Sequence, residues 1–173
     1  MNERDRRGTE LPESIWDAII ALALTGTFLC VKHAARAMQG RGEGSIVLTA
    51  TVDALVGQAG IDAYTAAKGG VVAMTRSMAA GLAQDGIRVN AVCPGFVDTP
   101  HQRAFLERPA ERARIEALHL MPIMAAEDVA ELAVFLLSDR ARCLTGGIHV
   151  ADGGYTAFKS RLDLAEVFDR KPG

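Results

Sequence analysis

The sequence predicts an α/β fold, a doubly wound parallel sheet flanked by helices. Two observations carry that expectation. Three short apolar runs, residues 45–50, 87–93 and 147–151, alternate with long stretches of helical periodicity. Short strands joined through whole helices pair in parallel, and their helices cover both faces of the sheet. The second observation is composition: aromatic residues are only 5% of the chain, while Ala and Gly are abundant, which suits helices packed closely on a sheet or on each other.

Residues 1–11 are polar and read as loose. Pro12 opens a helix running to about Met38, with Glu13 and Asp17 in its first turns, where the helix dipole favours acids. Gly40, Gly42 and Gly44 end it. A loop over 51–61 leads into a second long helix, 62–84, with a small-residue surface (Ala66, Ala67, Gly69, Gly70, Ala73, Ser77, Ala80). Asp85-Gly86 stops it. Pro94-Gly95 ends the second strand. Residues 97–122 are charged, interrupted by Pro100, Pro109 and Pro122, and hold one or two short helices. An amphipathic helix follows over 126–138, started by Glu127 and Asp128, and Asp152-Gly153-Gly154 closes the third strand. A tail over 157–173 includes a short helix around 162–168. The whole, 1–173, reads as a single domain.

Hydrophobic residues make up 49% of the 173 and charged residues 23%, with a net charge of −2, which implies a globular chain and no nucleic-acid partner. Cys30, Cys93 and Cys143 are scattered without a CxxC, as for reduced thiols in a cytoplasmic protein. No leader-like segment follows the charged N-terminus. The apolar run from Ile15 to Val31 is interrupted by Asp17, Thr25, Gly26 and Thr27 and reads as a buried helix rather than a membrane span. His33, His101, His119 and His149 share no metal-ligand spacing and read as structural or surface residues. Trp16 and Phe28 read as helix-interface residues. The charges of 103–114 read as a solvated helix face.

Tyr64 and Lys68 carry the chemical signal. Four residues apart on a helix, they leave the same face. A nearby ammonium favours a phenolate, and a tyrosine tuned that way can exchange a proton with a substrate oxygen. Alone, the pair is an ordinary solvated one. It is followed, however, by Gly69-Gly70, by Arg88-Val89-Asn90-Ala91-Val92-Cys93-Pro94-Gly95, and by Leu144-Thr145-Gly146-Gly147 leading to Asp152-Gly153-Gly154.

In that order and spacing these motifs resemble the short-chain dehydrogenase/reductase family, classical type, over residues 12–157. The resemblance implies a partial Rossmann-like fold, its C-terminal catalytic half, and hydride transfer between NAD or NADP and an alcohol or ketone. Tyr64 would be the acid/base, with Lys68 lowering its pKa. Thr51, thirteen positions before Tyr64, stands where the family has a serine and would orient the carbonyl. Pro94, Gly95, Val97 and Thr99 match the nicotinamide-side contacts, to which Tyr64 and Lys68 also belong. The region 97–122 corresponds to a mobile substrate lid. A homodimer or homotetramer acting on a small molecule, away from nucleic acid and membrane, is the implied partnership.

Two departures stand beside it. Ala23 occupies the family's asparagine position in Ala23-Leu24-Thr25-Gly26. The only Gly-rich candidate for a phosphate loop, Gly40-Arg41-Gly42-Glu43-Gly44, ends a helix and precedes a strand, the reverse of what a pyrophosphate cradle needs. The chain therefore reads as N-terminally truncated, with weak cofactor binding of its own. A cofactor-independent Tyr/Lys acid–base enzyme (isomerase, dehydratase or cyclase) and a non-catalytic oligomerisation module are the alternatives.

Overall fold

The computed structural model describes residues 5–160. In chain order the strands are β1 (Gly44–Thr49), β2 (Ile87–Pro94), β3 (Val97–Asp98), β4 (Met124–Ala125) and β5 (Ile148–Ala151). The three expected strands form one sheet in the order β1-β2-β5. Both pairings are parallel, with Thr49 opposite Val92 and Pro94 opposite Ala151. Strands β3 and β4 form a separate two-residue parallel pair, too short to leave a pattern in the sequence. Central β2 is the most deeply covered strand, with Ile87 and every residue from Val89 to Cys93 buried.

The helix expected over 12–38 is divided. Helix α1 (Glu13–Ile20) passes through one wide π turn, Ala21–Thr25, into α2 (Gly26–Met38). The Thr27 hydroxyl donates to the Ala23 carbonyl at 2.9 Å, and such back-bonding bends helices. Nor is this run a buried helix. Ile19, Val31 and Ala35 are buried, whereas Leu22 and Leu29 are exposed. Trp16 and Phe28, expected at a helix interface, are 39% and 41% exposed. By length and composition alone, Glu13–Met38 would suffice to cross a bilayer.

Helix α3 (Asp62–Leu82) crosses under the π turn, where Gly70 admits Leu24: a Cβ there would lie 2.9 Å from the Leu24 methyls. The helix stops through a 3₁₀ turn at Gly86, whose φ is +70°. A Cβ at Gly86 would also strike the Gly42 carbonyl oxygen, so both conformation and space require glycine. The segment 97–122 holds two helices, α4 (Pro100–Leu106) and α5 (Pro109–Glu116), each opened rather than broken by its proline. Helix α6 (Ala126–Leu137) begins where Asp128 accepts the Ala125 amide at 2.8 Å.

The N-terminal segment departs from the loose strand of residues expected. Asp5 is buried, and its carboxylate accepts the amides of Tyr64 at 2.8 Å and Ala63 at 3.4 Å. The first amides of α3 have no intrahelical acceptor and Ile61 at the cap offers no side-chain oxygen, so Asp5 supplies one from 59 residues away. Gly8 likewise donates to Asp62 at 2.6 Å. The helix expected around 162–168 lies outside the described residues.

The core packs α2 and α3 on one face of the sheet through Val31, Ala35, Val71, Val72, Ile46, Leu48, Val89 and Ala91. On the other face, two motif residues tie the α6–β5 connection to β2. Arg88 donates to the carbonyls of Leu136, Ser138 and Leu144. Fully buried Asn90 donates to the Leu144 carbonyl at 2.8 Å and accepts the Gly147 amide at 3.0 Å.

Truncating Asn90 strands both of those backbone groups, each an unmet buried partner of about 1–3 kcal/mol. Asn90→Ala is therefore expected to lower the unfolding free energy by about 2–4 kcal/mol in urea denaturation. A variant as stable as the parent would contradict the clip.

Candidate functional site

The parallel register brings the C-terminal ends of β1 and β2 side by side, which is where open α/β sheets bind ligands. The first turn of α3 rises beside them. A cleft of about 950 Å³ opens there. Its floor is Thr51, Val52, Asp53, Ile61 and Tyr64; Gly95, Phe96, Val97 and Thr99 form one wall, Tyr155 another, and Gln102, Phe105, Glu111, Arg114 and Ile115 of α4 and α5 overhang it.

Thr51 and Tyr64, thirteen residues apart, meet at one end of the cleft. The Thr51 hydroxyl lies close enough to the Tyr64 phenol to favour its ionised form. It also donates to the Asp53 carboxylate at 3.1 Å and accepts the Asp53 amide at 3.3 Å, capping a 3₁₀ turn over Val52–Ala54. Thr51 is buried. Its hydroxyl carries one proton, and the Asp53 carboxylate holds it.

Lys68 follows one turn later. Its ammonium donates to the Thr49 carbonyl at 2.7 Å and lies 5.9 Å from the Tyr64 ring centroid. It does not line the cleft. Burial pulls its pKa below the ordinary lysine value. The expectation that Lys68 lowers the pKa of Tyr64 is not met here. Burial and then the Asp53 charge push the phenol above its usual value, and the nearby Thr51 hydroxyl opposes them only in part. The reason is geometric: the cation is turned to Thr49, while the anion lies on the cleft side of the ring.

On the wall expected to meet a nicotinamide, the glycine at Gly95 is explained by packing. A Cβ there would sit 3.0 Å from Cα and Cβ of Asp152. Its amide already donates to the Ala151 carbonyl at 3.0 Å, and Pro94 has no N–H. A side-chain donor on this wall is the Thr99 hydroxyl, which caps no helix amide and lines the cleft with Val97. These residues fit a carboxamide that finds acceptors and one hydroxyl. Pro94 itself does not line the cleft.

Sequence reasoning passed over Asp53, Tyr155 and Asp5. Asp53 has a signal in hindsight: an acid two residues beyond a candidate catalytic hydroxyl at a strand end. Tyr155 reaches the cleft only because Asp152 folds the chain back, accepting the amides of Gly154 and Thr156 and the Thr156 hydroxyl. Those bonds outweigh burial, which alone would raise the Asp152 carboxyl, and hold it below the usual range. His119 is buried, its Nδ1 2.7 Å from the Ile115 carbonyl and its ring against Tyr155 and Phe96. His101 lies at the rim of the cleft, His149 beside Asn90, and His33 is exposed on α2. The charges of α4 and α5 pair on the surface, Arg112 with Glu116 at 2.8 Å and Arg114 with Glu111 at 3.4 Å.

Comparison with known proteins gives consistent relatives. A family model described as enoyl-(acyl carrier protein) reductase matches residues 1–156. The cis-4-hydroxycyclohexanecarboxylate dehydrogenase of Sinomonas cyclohexanicum is 45% identical over 150 residues, 86% of this chain and 59% of that one. The 3-oxoacyl-(acyl-carrier-protein) reductase of Thermotoga maritima is 38% identical over 154 residues, 87% of this chain and 61% of its own. The crystal structure of a putative 2-deoxy-D-gluconate 3-dehydrogenase from Agrobacterium tumefaciens with bound NADP superposes with a TM-score of 0.84 at 32% identity, over 90% of this chain and 64% of that one. The chain thus spans about three fifths of the length of the curated relatives it matches.

The chain has two tyrosines, and the Asp53 charge raises the pKa of both, after burial. Removing that negative charge favours the phenolate. In a spectrophotometric tyrosinate titration, Asp53→Asn is expected to lower both midpoints relative to the parent chain. Unmoved midpoints would place the carboxylate out of electrostatic reach.

Proposed function

The chain belongs to the short-chain dehydrogenase/reductase family, and from that premise we propose that it interconverts an alcohol and a ketone with NAD(P)(H). The single observation that supports this most is that the Thr51 hydroxyl and the Tyr64 phenol line the same cleft, one helical turn from Lys68. The nicotinamide, when bound, supplies or accepts the hydride. Tyr64 gives its proton to the carbonyl oxygen in reduction and takes it back in oxidation. Thr51 donates to the same oxygen and orients it. Lys68 would offset part of the charge the phenolate acquires once its ammonium turns from the Thr49 carbonyl towards the phenol. Thr99, with Gly95 and Val97, seats the carboxamide, while α4 and α5 roof the substrate and exclude water.

Self-association as a homodimer or homotetramer accompanies this reading. Ala66, Ala73, Ser77 and Ala80 form an exposed small-residue face on α3, beside exposed Phe28 and Leu29 on α2. Free, exposed thiols at Cys30 and Cys143 suit a reducing, cytoplasmic setting.

A second reading, proton transfer by Tyr64 and Lys68 without nicotinamide, is favoured by Ala23 in the π turn and by the Gly40–Gly44 stretch. That stretch joins helix to strand, with positive φ at Gly40 and Gly42, and offers no helix N-terminus to a pyrophosphate.

The test is NAD(P)H-linked turnover on a panel of ketones and secondary alcohols. A positioned acid/base contributes roughly 10²–10⁴-fold, so Tyr64→Phe should lose that much rate while unfolding as the parent does. Retained turnover in Tyr64→Phe would refute the assignment. Enolisation without nicotinamide dependence would favour the second reading.

A further inference from the structure

We infer that Asp53 selects the substrate, favouring an alcohol or ketone that carries a second hydrogen-bond donor, a hydroxyl or an ammonium, within two carbons of the reacting carbon. The inference rests on the oxidoreductase reading of the site and names the substrate class that site takes.

The geometry that carries it is the Asp53–Thr51 pair, which lines the same cleft as Tyr64. Asp53 lines the cleft, and its carboxylate takes the Thr51 proton at 3.1 Å. The same hydroxyl must turn to the substrate oxygen for Thr51 to orient it, and it has one proton to give. When it turns, Asp53 loses its side-chain donor in a half-buried, largely apolar pocket. Burial already raises the Asp53 carboxyl, against the Thr51 hydrogen bond that lowers it. Among the described residues Thr51 is the one side chain that hydrogen-bonds the Asp53 carboxylate, although Gln58 and Tyr155 line the same cleft.

A substrate with its own donor resolves the conflict. It bonds to Asp53, and Thr51 becomes free to bond to the reacting oxygen. The reach is set by the pair itself: two O–H···O hydrogen bonds laid end to end span at most ~6 Å. That distance separates Asp53 from the reacting oxygen and admits a donor on the adjacent carbon or the next. The apolar lining accommodates a carbocyclic or alkyl body. A substrate lacking the donor leaves a carboxylate unmatched, and unmatched buried polar groups discriminate more strongly than a missing methylene does.

The experiment measures binding to the full chain by calorimetric titration and needs no turnover. The probes are trans-1,2-cyclohexanediol, trans-2-aminocyclohexanol and cyclohexanol. The diol and the amino alcohol are expected to bind at least about tenfold tighter than cyclohexanol. Asp53→Leu should bring the three affinities together or reverse their order. Asp53→Asn, which keeps the shape and loses the charge, should weaken the amino alcohol more than the diol. Equal affinities in the parent chain, an unchanged preference in Asp53→Leu, or no binding of any probe would overturn the inference. Loss of NAD(P)H-linked turnover with the binding preference intact would overturn only the oxidoreductase reading.

Discussion

Strand β2 is the constraint on which the rest hangs. It is hydrogen-bonded to β1 on one edge and β5 on the other, and it is buried along nearly its whole length. Its side chains fill the core towards α2 and α3, while Arg88 and Asn90 fasten the α6–β5 connection on the opposite side. Buried polar groups of this kind are stable only when every partner is met. Once β2 is fixed, the ends of all three strands are fixed with it. Thr51, Gly95 and Asp152 then stand together, though they are far apart in the chain.

The site above β2 uses few groups, each with more than one role. Asp152 both occupies the space that excludes a Cβ at Gly95 and folds Tyr155 into the cleft. Asp5 caps α3 at the residue whose phenol faces the cleft, so the backbone of Tyr64 is anchored by a carboxylate distant in sequence. The Thr51 hydroxyl is bonded to the Asp53 carboxylate and lines the same cleft as the Tyr64 phenol. Tyr64 is therefore poised by its hydroxyl neighbour and opposed by an acid, with Lys68 turned to the end of β1.

Much of this was legible in the sequence. The three strands and the helices at 62–84 and 126–138 were visible because apolar runs and glycine stops record burial and chain reversal directly. Tyr64, Lys68 and Thr51 were visible through motif spacing. What escaped depends on contacts distant in the chain. Asp5 looked like part of a polar tail because its partners lie on α3. The apolar 15–31 run looked buried because composition does not say which face meets a neighbour; its π turn likewise follows from a local hydrogen bond by Thr27. Strands of two residues have no periodicity to read. The direction of the Tyr64 shift escaped for a related reason: spacing placed a cation on the same helix face, but only coordinates show it bonded to Thr49 and an acid nearer the cleft.

The central claim is that the Thr51 hydroxyl acts on the Tyr64 phenol. It is tested most directly by titrating the two tyrosines in Thr51→Val, which keeps the shape and removes the donor. The Tyr64 midpoint is expected to rise above that of the parent chain, because the hydroxyl that favours phenolate is gone. Tyr155, raised by burial and Asp53 alone, should stay nearer its parent value. A Tyr64 midpoint that is unchanged or lower would contradict the coupling on which the account of the site depends.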